Sequence, residues 1–176
     1  MIRRVLARAA LLASALFGLV PGARGQQTAA DGWRPFTAAW TLSGQRSLLP
    51  TEGDRPASIV HLTGTLTLTS GEGLGRGLLG EVIGFDDGAA LLAGRAVFTD
   101  EHGDRIFCLL AAEPIGNGRK ATATIRGGTG RFAGLEGSFS FAWQYVVDAG
   151  SGEVDLRSVN VEGRTRLPAA RRSGGP

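Results

Sequence analysis

The chain has 176 residues, 28 of them glycine, a single cysteine and a formal net charge of +3. That length suits one domain with a real core, and a lone thiol rules out an internal disulfide. Four arginines and no acids fall within residues 1–25, leaving fifteen Lys+Arg against sixteen Asp+Glu in the remainder, which lacks the basic footprint that nucleic-acid binding needs.

Residues 1–25 read as a secretory signal. Arg3, Arg4 and Arg8 make a positive start, residues 11–20 an uncharged apolar run, and Ala23-Arg24-Gly25 a small-x-small cleavage site before Gln26. The apolar run is too short to span a bilayer comfortably. The expectation is export, to the periplasm or beyond, with no stable membrane insertion once the signal is cleaved. Residues 26–167 then form a single domain, beginning with a small polar arm, and residues 168–176 a disordered tail.

No long segment of that domain keeps a helical apolar period. Residues 58–70 alternate instead, with Val60, Leu62, Leu66 and Leu68 on one face and His61 with Thr63, Thr65, Thr67 and Thr69 on the other. Gly64 falls in the apolar phase, where it relieves crowding or allows a bend. The same reading predicts eight strands, at 36–47, 58–70, 78–86, 90–99, 104–113, 119–127, 136–147 and 154–166. Their connections are short and rich in Gly, Asn and Asp, as in Asp86-Asp87-Gly88 and Gly116-Asn117-Gly118. Short connections make neighbours antiparallel. Eight such strands without helices predict an up-and-down β-barrel, since closure removes exposed edges; a two-sheet sandwich is the alternative.

One stretch invites two readings: Ile125-Arg126-Gly127-Gly128-Thr129-Gly130-Arg131-Phe132-Ala133-Gly134. A phosphate cradle needs a helix N-terminus after the glycines. Residues 136–147 alternate like a strand instead, so Gly127, Gly128, Gly130 and Phe132 read as a structural corner. Ile125-x-Gly127-Gly128-Thr129-Gly130-x-Phe132, followed by Gly137 and an aromatic strand, resembles the corner motif of the allene oxide cyclase and dirigent barrel superfamily. The resemblance implies an eight-stranded antiparallel barrel, often a homo-oligomer, with an apolar interior. It also implies either cyclisation of an unsaturated fatty-acid epoxide or cofactor-free steering of phenolic intermediates. The chain departs from plant dirigents in its glycine content and its lack of a disulfide pair.

Chemistry-bearing motifs are sparse. His61, His102 and Cys108 are too scattered for a zinc site. Asp100, Glu101 and Asp104 read as a hairpin turn, and no Gly-x-Ser-x-Gly elbow is present. No metal or other cofactor is expected. Strand phase places Phe139, Phe141, Trp143 and Tyr145 inside, beside a row of Phe36, Ala38, Trp40 and Leu42 and a row of Val159, Val161 and Leu167. Trp40, Phe139, Phe141, Trp143 and Tyr145 are the expected ligand-binding side chains.

Two polar residues in those phases are the candidate catalytic groups. Glu81 shares the phase of Leu79, Ile83 and Phe85, where a carboxylate resists ionisation; alternatively it faces solvent or an oligomer partner. Arg157 and Asp155 share the phase of Val159, at the cavity mouth or paired on the surface. Three functions remain open on these grounds: a carrier of a small apolar or phenolic molecule, a cofactor-free cyclase or isomerase, and a structural or interaction barrel with a filled core.

Overall fold

The computed structural model describes residues 32–89, 92–115 and 118–167; the expected signal and tail lie outside them. Eight strands form a closed barrel in chain order: β1 (Arg34–Leu49), β2 (Ala57–Gly71), β3 (Gly77–Asp86), β4 (Leu92–Thr99), β5 (Arg105–Ile115), β6 (Gly118–Gly128), β7 (Glu136–Asp148) and β8 (Glu153–Arg166). Every neighbouring pair is antiparallel, and β8 closes on β1. The all-β, up-and-down barrel read from alternation is therefore the fold. In β2 the phase is as expected: Leu62 and Leu66 are buried, Val60 and Leu68 pack on the core, and the threonines face out. Gly64 sits where a Cβ would run into the Thr41 carbonyl, so β1 and β2 approach closely there.

The core is an aromatic stack. Trp40 lies 5.0 Å from Phe98 and 5.3 Å from Phe141 between ring centroids; Phe139 contacts Phe36, Phe98 and Phe141 at 5.8–5.9 Å. Tilted and edge-on pairs at such spacings are favourable beyond the area they bury. One end of the barrel is sealed by buried Leu74, Phe132 and Leu135. These belong to the β2–β3 loop and the 128–135 corner.

In two strands the structure decides a phase for which the sequence leaves alternatives, and in both the candidate catalytic residue faces outward. In β3 the inward residues are Leu78, Gly80 and Val82, while Leu79, Glu81, Ile83 and Phe85 face out. Both phases are apolar, so alternation does not choose between them. Volume does: a Cβ at Gly80 would already stand 3.1 Å from Trp40 Cζ2 and from Phe98 Cε1. The larger set, Glu81 included, has no room inside.

In β8 the register slips. Ala38 faces Val161 but Trp40 faces Ser158, so β8 carries one extra residue there, and β7 meets the same slip between Ser140 and Ala142. Asn160 within it has φ +64, the sole positive φ outside glycine among the described residues. Such a bulge moves every side chain before it to the opposite face. Val154, Leu156 and Ser158 are consequently buried, and Asp155 and Arg157 face outward. Val161 is buried as expected, whereas Leu167 is exposed.

Candidate functional site

The glycine corner supports the barrel end and is already occupied by the chain itself. Gly127 has φ +132 and Gly130 φ +51, and a short 3-10 turn at Gly130–Phe132 follows in place of a long helix. Asp104 fills the space beside Gly130, its carboxylate accepting the Arg131 N–H at 3.0 Å. Thr129 clamps β5 by donating its N–H to the Arg105 carbonyl and accepting the Arg105 N–H on Oγ1. Phe132 plugs the core beneath, with Arg131 stacked 4.6 Å over its ring.

Arg131 also reaches Asp100 in the β4–β5 turn. The Asp100 side chain is fully buried, and its Oδ1 accepts the N–H groups of His102 and Asp104, both at 2.9 Å. Burial alone would raise its pKa, but those N–H donors and the Arg131 guanidinium outweigh it and hold the carboxyl below the usual carboxylate range. The acidic cluster is thus a turn, and a structural hub as well.

A cavity of about 60 Å³ lies at the opposite end of the barrel. Trp40, Phe141, Trp143 and Tyr145 form its aromatic wall, facing Val60, Leu62, Val82 and Leu110. Four of the five expected ligand-binding residues therefore meet here, while Phe139 lies deeper, in the packed stack. The indole N–H groups of Trp40 and Trp143 have no hydrogen-bond acceptor. By volume the cavity holds a few water molecules, or the leading edge of one small ring entering from the mouth. A long acyl chain exceeds it.

Asp86 and Arg119 complete the lining, with Arg119 Nη2 donating to Asp86 Oδ2 at 2.7 Å. Oδ1 of Asp86 accepts the Gly88 N–H. In the sequence Asp86 belongs to the Asp86-Asp87-Gly88 turn, and Arg119 is the first residue of the strand expected at 119–127. A signal was available, since Asp86 shares the phase of Leu78 and Val82, and Arg119 that of Ala121 and Ala123. Further out, Arg46 pairs with Asp148 at 2.6 Å and stacks 5.0 Å over the Tyr145 ring. Burial works to lower the Arg46 pKa, but Tyr145 and Asp148 hold it raised.

Neither candidate catalytic residue reaches this cavity. Glu81 stands on the outer wall opposite Thr63 and Val97, and Arg157 on the outer wall opposite Thr41 and Gln144. Cys108 is buried in the core, and desolvation pushes its thiol up to about 12. No protein-family profile matches this chain, and no curated protein matches it.

Proposed function

We propose that the protein is an exported barrel that binds one small aromatic or apolar molecule in the open-end cavity. A single observation carries this reading: the interior is filled by aromatic packing at one end and leaves a cavity walled by Trp40, Phe141, Trp143 and Tyr145 at the other. Apolar walls with a few polar groups at the rim are the general form of a small-molecule site. Each Å² of apolar surface removed from water contributes roughly 25 cal/mol. The cavity volume favours a compact phenolic ring over a fatty acid. The corner's resemblance to the allene oxide cyclase and dirigent superfamily supports an interior ligand too, and the leader pattern at residues 1–25 supports export.

Titration with benzyl alcohol, followed by tryptophan fluorescence, tests the reading. Saturable change is expected, weakened by Trp143→Ala in a variant that remains folded. Absence of any saturable change up to the solubility limit would leave a structural barrel whose function lies on its outer wall.

A cofactor-free cyclase is the second reading, favoured by the placement of the Asp86 carboxylate, paired with Arg119, in the cavity lining. It requires Asp86, in place of Glu81, to handle the proton. Asp86→Asn would then abolish turnover of a phenolic substrate while preserving binding.

A further inference from the structure

The outer wall of the barrel is uneven. β3 and β5 turn Leu79, Ile83, Phe85, Phe107 and Leu109 outward, 39–63% exposed, and Ile59 of β2 stands beside Phe85. On the far wall the exposed side chains are polar, among them Thr122, Thr124, Gln144 and Arg157. Register makes the apolar side chains contiguous. Val97 of β4 lies between Glu81 and Phe107, and Arg95 between Ile83 and Leu109. The patch runs roughly 20 Å along β3 and about 15 Å from β2 to β5. Single apolar residues are ordinary on a surface, but a contiguous patch of this extent marks an interaction site. It has the size of the dry centre of a standard interface, to which a polar rim adds the rest of about 800 Å² per partner.

Two charges sit in the patch, Glu81 and Arg95. Both are exposed, and among the described residues neither has an ion-pair partner. Their arrangement is self-complementary. By strand and residue spacing, Ile83, Val97 and Phe107 lie close to one line across β3, β4 and β5. Glu81 stands on one side of that line and Arg95 at a similar distance on the other. A twofold axis along the line sets Ile83, Val97 and Phe107 each against its own copy. It also brings Glu81 opposite Arg95 of the partner subunit, twice, and Leu79 near Leu109 of the partner subunit. Such reciprocal exchange is what an isologous interface requires. We propose that the protein is a twofold dimer that buries this β3–β5 face against a second copy, with two Glu81–Arg95 pairs across it.

Sedimentation velocity over a dilution series tests this, and the parent is expected to be a dimer that dissociates on dilution. Ile83→Glu, at a largely exposed side chain, is expected to leave monomers with the circular dichroism of the parent. Glu81→Arg sets like charges across the axis and is expected to raise the dimer dissociation constant roughly tenfold or more. Adding Arg95→Glu to that variant reverses the pair and is expected to restore the parent value. Val97→Cys, on the axis, is expected to be linked to its own copy by a short bifunctional maleimide, and Leu79→Cys, off the axis, is not. A monomer at every concentration, an assembly other than a dimer, or a dimer indifferent to Ile83→Glu or to Glu81→Arg overturns the proposal. If Ile83→Glu does not fold, the single and double charge variants decide alone, and a double variant no tighter than Glu81→Arg overturns the pairing.

Discussion

Arg131 Nε lies 2.5 Å from Asp100 Oδ2, joining the glycine corner to the β4–β5 turn through a carboxylate that solvent does not reach. Removal of Arg131 leaves the Asp100 carboxylate buried without its counter-charge, and neutralising Asp100 weakens the bonds it accepts from the His102 and Asp104 N–H groups. Asp100→Asn and Arg131→Ala are each expected to lower the melting temperature by several degrees, whereas the surface pair Arg166–Glu136 contributes little. A double-mutant cycle on Asp100 and Arg131 reads the coupling; strictly additive effects would contradict it.

The same carboxylate sets an acid limit. Its pKa is depressed in the folded state, so the stability it contributes is complete above the unfolded-state value of about 4. That contribution is lost as pH falls through the lower, folded-state value. Melting temperature followed from pH 6 to pH 2 is expected to fall more steeply in the parent than in Asp100→Asn. Parallel curves would show that Asp100 does not carry the acid sensitivity.

At the corner, two glycines are required for different reasons. Gly130 combines φ +51 with the Asp104 carboxylate where a Cβ would stand. Gly128 has an ordinary φ, but its Cβ would meet the Arg105 carbonyl at 2.5 Å and Phe132 Cβ at 2.7 Å. Alanine at Gly130 is expected to cost about 1 kcal/mol or more, and alanine at Gly128 about 1–3 kcal/mol through overpacking. Urea midpoints measure both. Parent-like midpoints would remove the strained corner.

How far the molecule can be read from its residues varies strand by strand. β1, β2 and the first part of β7 alternate large apolar residues with mostly small or polar ones, so their inward rows, Trp40 and Phe141 among them, follow from period alone. β3 is apolar on both faces, and the choice of Gly80 over Glu81 depends on the volume of Trp40 and Phe98 across the barrel, a tertiary fact. β8 hides its bulge. The one local hint is an asparagine in mid-strand, a residue depleted from strands and tolerant of positive φ. The rim of the site was within reach, since Arg46, Asp86 and Arg119 all lie in inward phases. Charge at a strand end reads equally well as solvation, and it takes the register between β3, β6 and their neighbours to bring Asp86 and Arg119 together.

Cys108 is expected to be silent toward thiol reagents. With its thiol pushed up to about 12 and its side chain buried, almost no thiolate exists at pH 8. A colorimetric disulfide reagent should react with it only after denaturant unfolds the barrel. Stoichiometric labelling of the folded protein within minutes would show that β5 opens readily.

The bulge at Asn160 supplies the last prediction. Before it, Val154, Leu156 and Ser158 face in, and Ser158 donates its hydroxyl to the Ala142 carbonyl at 2.7 Å. Without it, Asp155 and Arg157 would turn inward and Leu156 outward. A β-branched residue in the left-handed region costs roughly 1–2 kcal/mol, and glycine there costs little. Asn160→Val is therefore expected to lower the urea midpoint, while Asn160→Gly stays close to the parent. Deletion of Asn160 is the severe case. It shifts the first half of β8 by one residue and drives two charged side chains toward the aromatic core, so no cooperative unfolding transition should remain. A deletion variant that melts cooperatively near the parent temperature would mean that β8 holds its phase by some other means.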